Sequence, residues 1–327
     1  MSIDWEKFVS TINAHQKVLL TSHVRPDCDA LGSELGMARV LEAVGKDVVI
    51  VNAHPTPPNI AFIDPDHRIR VLHETIEPAE LSDIELLIVL DTSAWVQLGT
   101  MADVLKSIGA KKIIVDHHVS EDDLNAVAFK NTSSAATGCL VVQAAEHLGV
   151  TLTPEIAMPL FAAVATDTGW FRFVSADAET FSIGAKLVAA GAKPAEIYAN
   201  LYEQDTLARV RLRGAILSNI VCEMDGRLAH TFVTLDDFQR TGAHPSDTED
   251  VINMALAIAG TEFAVIMIEQ ATGGFKLSFR SQCDLDCSEI AAHFDGGGHK
   301  KAAGAFVAGT LDEVQPKVLD RIRSLMR

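Results

Sequence analysis

The chain has 327 residues, 48% of them hydrophobic and 22% charged, with a net charge of −17. That length exceeds what one hydrophobic core commonly serves, so two domains are expected. The acidic balance argues against a long nucleic-acid duplex as partner, because basic surface supplies most of that affinity, and no apolar run approaches the ~20 residues that span a bilayer.

The stretch from Met1 to Lys7 carries charges and no apolar h-region, which reads as the absence of a secretory leader. Asp4 to His15 suits an amphipathic helix, Lys17 to Ser22 a strand, Ala30 to Val44 a helix stopped by Gly45, and Asp47 to Val51 a second strand. His54 to Pro58 breaks the pattern as a loop. Ile84 to Leu90 and Lys112 to Val115 are strands apolar on both faces, as a parallel sheet covered by helices requires. Helical stretches follow at Ala135 to Leu148, Pro154 to Thr166, Ala178 to Ala190 and Pro194 to Glu203. Arg209, Arg211 and Arg213 crowd the next helix, around Leu207 to Ile220, which reads as an inter-domain connector over 205–222. Leu228 to Val233, Phe263 to Glu269 and Gly274 to Ser281 then alternate as strands of a mixed sheet, and Leu311 to Met326 is a closing helix. The expected class is α/β. A parallel-sheet domain with helices on both faces covers 1–204, and a smaller α+β domain with a mixed sheet covers 223–327. Five scattered cysteines, Cys28, Cys139, Cys222, Cys283 and Cys287, fit free thiols in a reducing compartment such as the cytoplasm.

Four clusters carry the chemistry. The first holds His23, Asp27 and Asp29, in the turn that leads from the first strand into the helix near Ala30. Asp91 ends a hydrophobic strand, where a charge is costly unless paired or bound to metal. Asp116, His117 and His118 repeat the arrangement one strand later, and Asp167 ends a helical apolar run before Thr168 and Gly169. Strand ends in an open α/β sheet converge on the edge where such folds bind ligands. Carboxylates and imidazoles meeting there are the material of a two-metal hydrolytic site. Helix N-capping competes for Asp29 taken alone. Adjacent histidines on an extended backbone point opposite ways, so one of His117 and His118 is expected as a ligand and the other is free to touch substrate. A fifth cluster, Gly296, Gly297, Gly298 and His299 with Lys300, lets backbone N–H groups close around an anion. Arg280 could reach the same anion with a bidentate fork.

Taken together these residues resemble the DHH phosphoesterase superfamily. Asp116-His117-His118 is its namesake triplet, His23-x-x-x-Asp27-x-Asp29 is similar to its first motif, and Asp91 and Asp167 match two others. The stretch from Gly296 to Gly304 resembles the signature of the DHH-associated domain found with exonucleases of the superfamily. The nanoRNase and pAp-phosphatase branch is the nearest in pattern, where pAp is 3′-phosphoadenosine 5′-phosphate. The resemblance implies two divalent ions, manganese first, with magnesium, cobalt or zinc as alternatives. His23 and Asp27 would hold one ion, Asp29, His117 and Asp167 the other, and Asp91 would bridge them. His118 would face the scissile phosphate, with Asp116 orienting a ligand from behind. Arg280, Gly296, Gly297, Gly298 and His299 would bind substrate: short single-stranded RNA or a nucleotide, cleaved by activated water. Cyclic or linear dinucleotides, inorganic pyrophosphate, and a nucleotide-binding regulator without activity are the rival readings, and a homodimer is admitted. Cys28 departs from the glycine implied between the two aspartates. A small side chain fits that turn, and an oxidation-sensitive thiol is the other expectation.

Overall fold

Two six-stranded sheets organise the chain, one in each of two units, Met1–Gln204 and Asp205–Arg327. The computed structural model describes residues 3–119 and 122–326.

The first unit opens with α1 (Trp5–Asn13), β1 (Lys17–Thr21), α2 (Cys28–Ala43), β2 (Asp47–Asn52) and β3 (Ile69–Val71). It continues with β4 (Leu86–Leu90), α3 (Met101–Ser107), β5 (Lys111–Asp116) and β6 (Val127–Lys130). Four helices follow: α4 (Thr137–His147), α5 (Pro154–Asp167), α6 (Ala178–Ala189) and α7 (Pro194–Tyr202). The sheet order is β3-β2-β1-β4-β5-β6, and every pair is parallel. The chain therefore runs outward in one direction from β1 and in the other from β4, which makes the gap between their carboxyl ends the topological switch point.

Both sheet faces are covered, which is why β4 is apolar throughout. Leu86, Ile88 and Leu90 face α1, α2, α4 and α5, while Leu87 and Val89 face α3 and the connecting turns. Helix α2 packs closely on α5 through glycine: a Cβ on Gly32 would lie 2.4 Å from the Pro159 carbonyl oxygen, and one on Gly36 2.5 Å from Leu160. That close approach brings the start of α2 toward the end of α5, where two of the expected ligands reside.

The second unit contains α8 (Leu207–Ser218), β7 (Val221–Glu223), β8 (Leu228–Val233), α9 (Leu235–Thr241) and α10 (Val251–Leu256). Next come β9 (Phe263–Glu269), β10 (Phe275–Ser281), α11 (Cys287–Ala292), β11 (Gly297–His299), β12 (Ala302–Val307) and α12 (Leu311–Leu325). The order β11-β12-β10-β9-β8-β7 is mixed, with β8 and β9 the parallel pair. Strand β9 is buried on both faces: Phe263, Val265 and Met267 meet α11 and α12, while Ala264, Ile266 and Ile268 meet α8, α9 and α10. Strand β10 alternates instead. Phe275, Leu277 and Phe279 are buried, and Lys276, Ser278 and Arg280 lie on the more open face. Leu212 and Ile216 of α8, the helix expected to connect the units, join the core of the second.

The glycine run expected as an anion-binding loop forms a hairpin, β11 to β12, with Lys300 and Lys301 at its turn. A Cβ on Gly296 would lie 2.2 Å from the Gly304 carbonyl oxygen, and Gly298 has φ +146° with Ala303 pressed against it. Close approach of β12 therefore accounts for glycine at both positions.

Candidate metal centre

The carboxyl ends of β1, β4 and β5 place their clusters side by side, and the end of α5 adds the fourth. His23 follows β1, Asp91 follows β4, His117 and His118 follow β5, and Asp167 is the last residue of α5. Among the described residues, three groups offer ligand atoms within 4.8 Å of one another: His23, Asp27 and Asp91; Asp29, His117 and Asp167; and Asp91, His117 and His118.

Asp91 sits between the imidazoles. Its Oδ2 is 3.4 Å from His23 Nε2, and its Oδ1 is 3.6 Å from His117 Nε2. Each of these rings is turned by a backbone carbonyl: His23 Nδ1 lies 3.0 Å from the Val24 oxygen, and His117 Nδ1 3.2 Å from the Ser134 oxygen. With Nδ1 so engaged, each ring turns its Nε2 toward the carboxylates, the orientation seen for histidines that bind metal. His23 Nε2 also lies 3.8 Å from Asp27 Oδ1, and His117 Nε2 lies 3.8 Å from Asp29 Oδ2 and 3.5 Å from Asp167 Oδ2. Asp91 adopts φ +63°, an uncommon backbone for a residue other than glycine, which turns its side chain out of the strand and into the cluster.

Helix capping, the reading that competed with metal binding for Asp29, falls instead to Asp27. Asp27 is the N-cap of α2 and accepts from the Ala30 N–H at 3.0 Å. Asp29 lies inside the first turn, 2% exposed, and accepts from the backbone N–H groups of Thr137 and Gly138 at 2.8 and 2.9 Å. Those N–H groups open α4, whose N-cap Ala136 has no side-chain acceptor, so Asp29 meets the positive end of a helix from another part of the chain. Thr137 Oγ1 in turn donates to Asp91 Oδ1 at 2.8 Å. Thr137 and Gly138 escaped the sequence reading; the uncapped start of a long apolar helix is the signal that could have drawn attention to them.

The expectation that His117 and His118 diverge also needs correction. Their ring centroids are 4.5 Å apart, because β5 ends at Asp116 and alternation no longer governs the residues beyond it. His118 Nδ1 is 2.9 Å from Asp116 Oδ1, and its backbone N–H donates to the same oxygen. Asp116 is fully buried, so it reaches the cluster only through His118. Its carboxyl is held below the usual range: burial opposes this, but hydrogen bonds from His118 and Ser93 and the charge of Lys130 outweigh it. The hydrogen bond to Asp116 raises the His118 imidazole.

Crowding of carboxylates governs the remaining electrostatics. Burial, then the charges of Asp91 and Asp167, push the Asp29 carboxyl well up. Burial leads the upward shift of Asp167 as well. Burial pulls the His23 imidazole down, but Asp91, the Val24 carbonyl and Asp27 lift it to about 9. Carboxylates crowded to this degree, with imidazole nitrogens among them, suit a divalent metal ion. The site can hold metal.

Behind His23 lies a further group that the sequence did not flag. Glu34 of α2 is fully buried and accepts from Asn52 Nδ2 at 2.8 Å, and Asn52 Oδ1 accepts from the Ser22 N–H at 3.0 Å. Cys28 is 4% exposed with its thiol pushed to about 12 by burial, which leaves an unreactive thiol rather than an oxidation-sensitive one.

In the second unit, Arg280 pairs with Ala302 and Ala302 with His299 in directly opposed register. Directly opposed residues share a sheet face, so Arg280 and His299 stand in one row, with β12 between them. Gly297 and His299 are exposed, and Gly297 has open space where a Cβ would be. Arg280 donates from Nη1 to the Phe279 carbonyl at 3.0 Å.

Among the described residues no helix is long and apolar enough to cross a membrane. The family model for the DHH family N-terminal domain matches residues 17–164, and that for the DHHA1 domain matches residues 225–327. The bifunctional oligoribonuclease and PAP phosphatase NrnA of Thermus thermophilus is 30% identical over 94% of this chain and 89% of that protein. Its namesake from Bacillus subtilis is 27% identical over 92% of both. In fold, the crystal structure of an exopolyphosphatase-related protein from Bacteroides fragilis superposes with a TM-score of 0.82 at 26% identity, covering 98% of this chain and 96% of that one. The order of the motifs and these likenesses agree: the chain belongs to the DHH family of phosphoesterases, hydrolases of phosphoester bonds, and carries the DHHA1 domain.

Proposed function

We propose that the chain releases mononucleotides from very short RNA and removes the 3′-phosphate from pAp, using two divalent metal ions, manganese first, in the cytoplasm. The observation that carries this reading is Asp91 set between two imidazoles, one carboxylate oxygen toward each. His23, Asp27 and Asp91 Oδ2 form one ligand group; Asp29, His117, Asp167 and Asp91 Oδ1 form the other. When bound, the ions supply Lewis-acid charge to the phosphoryl oxygens and lower the pKa of the attacking water.

The chain's own residues do the rest. His118 Nδ1 is engaged by Asp116, which leaves Nε2 to give a proton to the leaving ribose oxygen. Asp116 never touches substrate; it is a positioning residue for His118. The row formed by Arg280 and His299, with Gly297 and Gly298 beside it, holds a substrate phosphate, Arg280 by its planar fork; the Gly296 N–H is already given to the Ala291 carbonyl oxygen, so Gly296 serves by its lack of a side chain. A pocket that grips a terminal nucleotide favours short chains over long ones. The names of the Thermus and Bacillus relatives support both substrates.

The test is a manganese-dependent panel on purified protein: a ribodinucleotide, a 24-nucleotide RNA, pAp, pyrophosphate and cyclic di-AMP. Fast release of mononucleotides from the dinucleotide with a slow 24-mer, together with pAp turnover, is expected. Pyrophosphate or cyclic di-AMP as the preferred substrate would overturn the assignment.

A further inference from the structure

Strand β6 carries a cation into the interior that neither the metal ligands nor the substrate row require. Lys130, its last residue, has a side chain only 10% exposed. It stands directly opposite Asp116 in the parallel ladder between β5 and β6. Its Nζ lies 3.2 Å from Asp116 Oδ2 and donates to Ser93 Oγ at 2.7 Å. Ser93 Oγ donates to the same Oδ2 at 2.8 Å. Asp116 thus has its two oxygens divided: Oδ2 is taken by Ser93 and Lys130, and Oδ1 is left to His118.

We propose that Lys130 is a positioning residue for the proton donor: with Ser93 it fixes the Asp116 carboxylate so that Oδ1 holds the His118 ring with Nε2 toward the leaving oxygen. The inference rests on the proton-donor reading of His118. Burying a lysine is costly unless it is paired, and a carboxylate held by two donors on one oxygen cannot turn its other oxygen away from the imidazole. In the step concerned, the P–O bond to the ribose oxygen breaks, the electron pair stays on that oxygen, and the proton passes to it from His118 Nε2. The neutral imidazole then regains a proton from water. Ser93 follows Asp91 by two residues, so the loop after β4 supplies both a metal-ligand candidate and half of this clamp.

A leaving group that needs no proton separates positioning from mere structure. Lys130→Met, Lys130→Arg and His118→Asn are compared with the unaltered chain at saturating manganese. One substrate is a ribodinucleotide, whose leaving alkoxide must be protonated. The other is a nucleoside 5′-(p-nitrophenyl phosphate), whose phenolate leaves unaided. K130M is expected to lose about tenfold to a hundredfold in kcat on the dinucleotide, with KM unchanged. It should stay within about threefold of the unaltered chain on the nitrophenyl ester, echoing H118N, and K130R should recover most of the loss. Equal loss on both substrates, or no loss on either, overturns the role of Lys130 while leaving His118 as donor. If H118N itself shows no selectivity between the substrates, the donor reading falls and the role of Lys130 falls with it. Should K130M lose its fold by circular dichroism, Lys130→Gln takes its place under the same criteria.

Discussion

Replacing Glu34 with glutamine should change how the first unit responds to alkali. Glu34 is fully buried, and its Oε1 has no hydrogen-bond partner among the described residues. Burial pushes its carboxyl from 4.5 to about 8; hydrogen bonds from Asn52 and Ser22 and the charge on His23 only partly offset this. The folded chain therefore favours the neutral acid. A folded pKa above the unfolded one contributes stability that is fully present below the unfolded value and is lost as pH rises through the folded value. The window here runs from about 4.5 to about 8. At about 1.4 kcal/mol per unit, the loss across that window is up to about 5 kcal/mol. Glutamine cannot ionise, so Glu34→Gln lacks this dependence. At pH 5 the two proteins are expected to lie within about 1–2 kcal/mol of each other, because the O–H of the protonated acid and the NH2 of the amide meet the same lack of an acceptor. At pH 9 the variant should be clearly the more stable. All three tryptophans, Trp5, Trp95 and Trp170, lie in the first unit, so urea unfolding followed by tryptophan fluorescence reports on that unit alone. The measurement belongs in chelator, since a cation bound near His23 would favour the ionised acid and shrink the difference. Parallel stability curves for the two proteins from pH 5 to pH 9 would refute the argument.

The remaining predictions concern the sites themselves. Asp91→Asn keeps a side chain that tolerates the left-handed backbone at this position, so circular dichroism should match the unaltered chain. Its manganese-dependent turnover of a dinucleotide should fall at least about a thousandfold. Arg280→Ala is expected to raise KM about tenfold with kcat within about threefold, the pattern of lost binding in steady-state kinetics. Of the five thiols, exposed Cys222 should react promptly with an aromatic disulfide reagent, while buried Cys28, Cys139 and Cys287 should wait for denaturant. Prompt labelling of Cys28 would show that the turn before α2 opens.

The residues that meet at the centre were legible because all but Asp167, which ends α5, follow a strand whose continuous apolar run has one physical cause, burial on both faces. Strands β1, β4 and β5 announced themselves in this way, and so did the long helices α4, α5 and α6. Strands β3, β6, β7 and β11 did not: three or four residues show no period. Helix α3 was missed for the same reason, and the short helices of the second unit were expected there without bounds. Residue type and order could locate His23, Asp91 and His117, but not the rotation of a side chain. That Asp27 rather than Asp29 caps α2 depends on where the helix starts. The convergence of His117 and His118 depends on where β5 stops. Thr137, Lys130 and Glu34 were silent because their parts are set by tertiary neighbours, a helix start, an opposed strand and an enclosed polar pocket, none of which leaves a local pattern.

The brevity of the outermost strands has a consequence for the chain in a crowded solution. Sheet edges are templates for pairing with a foreign strand, and proteins that leave them long and flat tend to aggregate. Here β3, β7 and β11 have three residues each and β6 has four, so each border offers few free backbone groups in line. The glycines of β11 present no side chains to repel an intruder, and that border is closed off differently: Lys300 and Lys301 sit at its hairpin turn. Two ammonium groups at the mouth of the barest edge make a second copy of the same edge an unfavourable neighbour, while an incoming phosphate would meet attraction there.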